Sequence, residues 1–279
     1  MTPEQTKSAR ELIAFYLEAG VDTPLGEVAI DRFADDSMAP ALPAERRSPA
    51  AETRASVDRA ARAATLPGAL RTDSTPTAPD AAAIAARAVA KNATSLDELR
   101  TILEHFDGCA LKMTATRLVF ADGNPQSRIM FVGEAPGREE DLEGLPFVGR
   151  SGKLLDRMMA AIGIDRNSAY IANVVPWRPP GNRTPTPQET AICLPFILRQ
   201  IELADPDVLV CLGGPSAQTL LGVKDGIRRA RGRWYSYHTG RRAIRALATF
   251  HPAYLLRSPL EKRLVWRDFL AIKAALTQS

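Results

Sequence analysis

RIMFVGEAPGREEDLEGLPFVGRSG, residues 128–152, decides how the rest of this chain is read. Arg128–Val132 is a short apolar run ending at Gly133, the pattern of a buried strand entering a loop. The loop carries Gly133, Gly137, Gly144, Gly149 and Gly152 with Pro136 and Pro146, residues suited to tight turns and close backbone approach. Ser151–Ile162 then takes up helical periodicity. Further along, Ala169–Val175, Val208–Leu212, Arg233–Tyr237 and Ile244–Phe250 read as strands, while Pro187–Leu203, Pro215–Leu221 and Leu260–Leu276 read as helices. Strands alternating with helices predict an α/β domain whose parallel sheet is covered on both faces. In such sheets ligands bind beyond the carboxyl ends of the strands.

Toward the N-terminus the folded pattern begins at Thr94, where Ser95 is placed to cap a helix with Glu98 three residues on. Residues 36–92 hold 19 Ala and 6 Pro and no aromatic residue. Too little apolar surface can be buried there to offset chain entropy, so residues 36–93 are expected to be a disordered linker, with a transient helix near Asp80–Lys91. Residues 8–19 have the periodicity of one amphipathic helix, within an arm at 1–35. Residues 94–279 make the expected catalytic domain.

The chain has 279 residues, 45% apolar and 24% charged. No stretch reaches the ~20 apolar residues of a transmembrane helix, and the N-terminus lacks the pattern of a secretory leader. A cytoplasmic, nucleoid-associated protein is expected, with no membrane partner. Three cysteines, Cys109, Cys193 and Cys211, are too few and too scattered for a disulfide framework. The net charge of +4 is unevenly spread: residues 1–108 carry 12 basic and 17 acidic groups, residues 109–279 carry 24 and 15. A basic body suggests a polyanionic partner, most simply nucleic acid.

Four stretches carry the chemistry. Glu134, Glu139, Glu140, Asp141 and Glu143 crowd the loop after the first strand, either as acid/base or cation-stabilising groups or as a solvated acidic loop. Phe147, between a proline and glycines, either stacks on a flat ligand or fills the core. Asn173, in an otherwise apolar strand, either reads a nucleobase edge or is satisfied by backbone. Residues 227–245 contain Arg228, Arg229, Arg231, Arg233, Arg241, Arg242 and Arg245 without one acid, and Trp234, Tyr235 and Tyr237 interleave. Such density suits phosphate contacts, although an exposed basic hairpin has the same composition. In FHPAYLLRSP, residues 250–259, His251 sits at a strand end, where it can donate to a developing anion. Tyr254, Leu255, Leu256 and Arg257 then offer a wedge beside a cation, or ordinary helix packing.

Together these stretches resemble the type-4 branch of the uracil-DNA glycosylase superfamily. The motifs that carry the resemblance are GEAPGREEDLEGLPFVGRSGKLLD at 133–156, NVVPWRPPGNRTP at 173–185, Cys193-Leu-Pro, LGGPSA at 212–217 and HPAYLLR at 251–257. The resemblance implies a three-layer α/β/α sandwich around a four-stranded parallel sheet. It implies hydrolysis of the N-glycosidic bond of deoxyuridine in DNA, a base-excision repair reaction that releases uracil and leaves an abasic site. It also implies that Glu134 and Ala135 line the base pocket, that Glu140 is a second carboxylate there, that Phe147 stacks on the flipped base, that Asn173 reads its edge and that His251 faces uracil O2. Glu134, Glu140 and His251 are the expected catalytic residues. Arg228, Arg229, Arg231, Arg233, Tyr254, Leu255, Leu256 and Arg257 are the expected DNA contacts. The family's alternatives are a DNA-binding module related to a phage DNA polymerase, with weak or no activity, and a glycosylase for another deaminated base.

One departure stands out. Type-4 enzymes hold a [4Fe–4S] cluster on four cysteines, whereas this chain keeps Cys109 and Cys193 and has Lys112 and Trp177 at the other two positions. Four thiolates are the usual requirement. No cluster and no other metal is therefore expected, with Trp177 packing into the vacated space and the two remaining thiols close together. The expected assembly is a monomer acting on uracil-containing DNA, with a protein partner for the N-terminal arm.

Overall fold

The computed structural model describes residues 79–277. The arm at 1–35 and residues 36–78 of the expected linker lie outside the described residues. The rest of that linker keeps the helix expected near Asp80–Lys91, but as a packed element and not a transient one in a disordered segment. Pro79–Asn92 is a helix, α1, that lies against the helix Pro187–Ala204, α5. Ala82, Ala86 and Ala90 form a buried stripe at helical spacing. Arg199 of α5 donates to the carbonyl of Ala93 from Nε at 3.0 Å and Nη2 at 2.6 Å, satisfying the end of α1. The absence of aromatics is misleading here, because small side chains let two helices approach closely and bury backbone and methyl surface together.

Next comes α2, Leu96–His105, capped as expected: Glu98 N–H donates to Ser95 Oγ at 3.2 Å. The Glu98 carboxylate reaches back to Thr94 N–H rather than to the cap residue's own. The sheet has six strands: β1 Asp122–Gly123, β2 Ile129–Gly133, β3 Tyr170–Asn173, β4 Val208–Leu212, β5 Trp234–His238 and β6 Ala243–Thr249. Their order is β1-β3-β2-β4-β6-β5. The middle four, β3, β2, β4 and β6, are parallel, and antiparallel β1 and β5 flank them. The expected four-stranded parallel sheet is thus present, extended by an antiparallel strand at each edge.

Period-two alternation along the strands builds two cores. Met130, Val132, Tyr170, Ala172, Leu209, Cys211, Ala246 and Ala248 face α1, α2, α5 and the helix α6, Gly214–Leu221. Ile129, Phe131, Ile171, Val208, Val210 and Leu247 face α4, Arg150–Ala160, and α9, Lys262–Thr277. This is a three-layer α/β/α sandwich. The remaining helices are short: α3 Arg138–Glu143, α7 Ile227–Ala230 and α8 Pro252–Arg257. No helix among the described residues is long and apolar enough to cross a membrane.

Candidate active site

The parallel strands end together. Gly133 pairs in register with Asn173, and Leu212 with Thr249. The residues that follow, Glu134, Gly213 and His251, therefore emerge side by side and line one cavity of about 760 Å³ with Phe147 and Asn173. Its walls include Ala135, Glu140, Arg150 and Ser151, the loop residues Asn182 and Arg183, and Tyr254, Leu256 and Arg257.

Two buried oxygens in this cavity have no hydrogen-bond partner: Glu134 Oε1 and Asn173 Oδ1. Burial raises the Glu134 carboxyl above its ordinary value. An unpaired buried acceptor costs about 1–3 kcal/mol, so each of the two atoms lowers stability unless a partner reaches it. Gly133 is what allows the cavity to close around them. A Cβ there would stand 2.4 Å from Asn173 Oδ1 and 2.7 Å from the Phe147 ring.

His251 is fixed in one form. Its Nδ1 accepts the Ala253 N–H at 3.1 Å, capping α8. Burial lowers the imidazole to about 4, with Arg257 adding in the same direction. A neutral ring whose Nδ1 accepts must carry its proton on Nε2, so His251 offers one N–H donor. The Phe147 ring lies 5.4 Å from it, centroid to centroid.

Glu140 has a different setting. Its Oε1 accepts from Val148 N–H and Gly149 N–H, and its Oε2 accepts from Gly137 N–H, each at 3.0 Å. Asp141, also buried, holds Thr116 and the Arg117 N–H, tying the 114–117 segment to α3. The acidic run is therefore not a row of equivalent acids: Glu140 and Asp141 brace the loop, whereas Glu139 and Glu143 are exposed.

The arginine run divides as well. The Arg228, Arg229 and Arg233 side chains are exposed. Arg228 reaches Tyr254 Oη at 2.7 Å and Glu261 at 2.9 Å, and Arg233 stands 3.7 Å from Asp225. Arg231, expected on DNA, instead turns inward to the buried Asp268, with a further bond to Leu264 O. Asp268 also accepts Thr249 Oγ1–H at 2.6 Å, two residues before His251. Leu255, expected in the wedge, is fully buried in the core, whereas Leu256 and Arg257 are exposed at the cavity. A linear pattern could not separate these neighbours, because the helical turn of α8 points them in opposite directions.

At the positions where the resemblance implies a cluster, Cys109 and Cys193 lie with their sulfurs 3.9 Å apart, both buried. The Cys193 S–H donates to Cys109 Sγ, which together with burial keeps the Cys193 thiol protonated. Trp177 is 2% exposed within the same apolar cluster. Lys112 Nζ is occupied, donating to Glu104 O and Asp107 Oδ1, both at 2.7 Å. No group of three or more His, Cys, Asp or Glu among the described residues is placed to hold a metal ion. Two thiols, an ammonium and an indole do not fit a four-thiolate cluster.

Residues 120–270 match the model of the uracil DNA glycosylase superfamily. The chain belongs to this superfamily. It is 41% identical over 182 residues to the type-4 uracil-DNA glycosylase of Archaeoglobus fulgidus, covering 64% of this chain and 92% of that protein. It is 45% identical over 169 residues to the type-4 uracil-DNA glycosylase of Thermotoga maritima, covering 60% of this chain and 86% of that one. A DNA polymerase of Bacillus phage SP01 is 31% identical over 157 residues, which are 56% of this chain but 16% of the polymerase. The superfamily assignment thus spans the sheet and every wall of the cavity described above. Arg150, Ser151, Asn182 and Arg183 are wall residues that sequence reasoning did not single out. The stiff, basic WRPPGNRTPTP segment was the one signal for two of them.

Proposed function

We propose that this protein excises uracil from DNA by hydrolysing the bond between uracil N1 and deoxyribose C1′. The observation that carries this reading is the meeting, in one cavity, of the unpaired Asn173 Oδ1, the unpaired Glu134 Oε1 and the neutral His251 N–H beside the Phe147 ring. The Asn173 amide offers an acceptor for uracil N3–H and a donor for O4; cytosine presents the opposite pattern. As the C1′–N1 bond breaks, its electron pair moves onto uracil. The His251 Nε2–H donates to O2, where that negative charge gathers. A neutral donor suits this task, since it stabilises the anion without having to give up a proton. Glu134 faces the sugar side, where its carboxylate stabilises the oxocarbenium-like carbon and orients the attacking water. Water oxygen bonds to C1′, its proton passes to the Glu134 carboxylate, and uracil leaves as the anion.

Glu140 acts as a brace in this scheme, because its oxygens are engaged by three backbone N–H groups. Arg228, Arg229, Arg233 and Arg257 are the phosphate-facing cations, and Leu256 is the wedge. The fold at Cys109, Lys112, Trp177 and Cys193 is maintained without iron or sulfide. The protein acts as a monomer at the nucleoid, in the cytoplasm, with the N-terminal arm available to a protein partner.

Labelled single- and double-stranded oligonucleotides carrying one deoxyuridine test the reaction: after alkaline treatment, scission at that position is expected. Deoxyinosine and T:G substrates run in parallel, and scission confined to one of them would move the reading to another base. DNA binding without scission on any substrate would leave only a binding module. Anaerobically purified protein is expected to lack an absorbance band near 400 nm, and stoichiometric iron would overturn the cluster-free reading.

A further inference from the structure

Phe147 stands in an unusual backbone state. It is a non-glycine residue with φ of 56°, in the left-handed region. Bulky side chains adopt that region only when their surroundings impose it. What imposes it here is a grip on the peptide that follows. The Val148 N–H of that peptide donates to Glu140 Oε1. Its carbonyl, Phe147 O, accepts from Arg166 Nη2, and Arg166 Nη1 also donates to Pro146 O at 3.2 Å. A carboxylate thus holds one end of the peptide dipole and a guanidinium holds the other.

Arg166 is itself anchored. Asp156 of α4 accepts its Nε–H at 2.9 Å, and Asp122 of β1 accepts from Nη1. Behind the loop, Gly152 leaves the room this requires: a Cβ there would stand 1.6 Å from Phe147 O. The geometry is therefore built with the help of β1, α4 and the loop before β3, of which β1 and that loop have no other part in the cavity.

We propose that Arg166 is a positioning residue for base binding, acting through the 147–148 peptide to hold the Phe147 ring beside His251. This rests on the uracil-excision reading. If the grip is lost, Phe147 relaxes to an ordinary φ and its ring leaves the place where a base would stack. Base recognition should then fail while attachment of DNA to the basic surface persists.

The test is a double-mutant cycle in the full chain with Arg166→Met, Phe147→Ala and both together. Single-turnover excision, half-saturating DNA concentration and inhibition by free uracil are measured on a single-stranded deoxyuridine oligonucleotide. Arg166→Met is expected to slow excision at saturating DNA by about 10-fold and weaken free-uracil inhibition by about as much, with half-saturation changed by less than about 2-fold. The double variant is expected to be no slower than Phe147→Ala by more than about 3-fold. Losses that multiply to about 100-fold, or unchanged inhibition by uracil, would overturn the proposal. Should Arg166→Met fail to fold, Asp156→Asn loosens the same guanidinium. It should weaken uracil inhibition by about 2–3-fold, an effect that vanishes in the Phe147→Ala background, and no weakening would count against Arg166. A wild-type protein that excises no uracil defeats the functional reading itself; an active wild type with multiplicative variants defeats only the role of Arg166.

Discussion

Two corners of this domain treat their polar atoms in opposite ways. At the carboxyl ends of the strands, Glu134 Oε1 and Asn173 Oδ1 are buried without a partner. In the corner where related proteins are expected to carry a metal cluster, Lys112 donates to two oxygens, the two thiols face each other and Trp177 fills the space. The first corner leaves buried acceptors unpaired, at a cost to stability. The second has been completed by the chain itself. Substitutions should therefore separate: those in the cavity change chemistry and spare the fold, those in the other corner do the reverse.

The largest expected effect is on chemistry. Glu134→Gln should slow single-turnover excision by about 10³-fold, on the order of 4 kcal/mol of barrier, and Asn173→Ala should act in the same direction. Because burial raises the Glu134 carboxyl, the folded state resists losing that proton, and the stability it brings is lost as pH rises above the ordinary carboxylate range. The glutamine variant should consequently melt at or above the wild-type temperature at pH 7. A marked drop in its melting temperature would erase the contrast. Trp177→Ala should cost about 3–5 kcal/mol of stability through the cavity it opens, seen in urea unfolding, with the single-turnover rate of the remaining folded protein unchanged.

His251 supplies the pH arm. Its imidazole is lowered from the ordinary 6.5 to about 4, so the unfolded chain takes up a proton that the folded one refuses. Stability is expected to fall as pH drops from about 6.5 toward 4, while the His251 donor keeps the same form from pH 5.5 to 8. His251→Gln should flatten that part of the acid dependence in denaturant titrations. Smaller still is the surface effect: Arg228→Ala with Arg229→Ala should reduce the log–log salt slope of DNA binding by about 1.5 and leave the saturated excision rate unchanged. The smallest is Lys112→Met, about 1 kcal/mol of stability with no change in rate.

How far the sequence could be read depended on distance along the chain. The parallel sheet was legible because each strand is a local apolar run flanked by helical periodicity. Gly133, Asn173 and His251 were legible as candidates because a polar or glycine residue at the end of such a run is conspicuous. Arg231 was not, because the Asp268 that draws it inward lies 37 residues away and nothing local announces the pair. The same holds for Arg166, whose partners Asp122 and Phe147 are 44 and 19 residues off. Helix α1 was expected only as a transient helix, and its packing escaped for a different reason. Its stability comes from an alanine stripe against α5, and composition alone credits alanine with little burial.

The bond from Ala253 N–H to His251 Nδ1 has a consequence for how this cavity can change. The bond that selects the proton position on the imidazole also begins the helix bearing Leu256 and Arg257. Any other side chain at position 251 must satisfy both tasks, and one that accepts from Ala253 without presenting a second donor keeps the helix but silences the chemistry. Donor and wedge thus depend on one residue, and an exchange that removes the acceptor disturbs both at once.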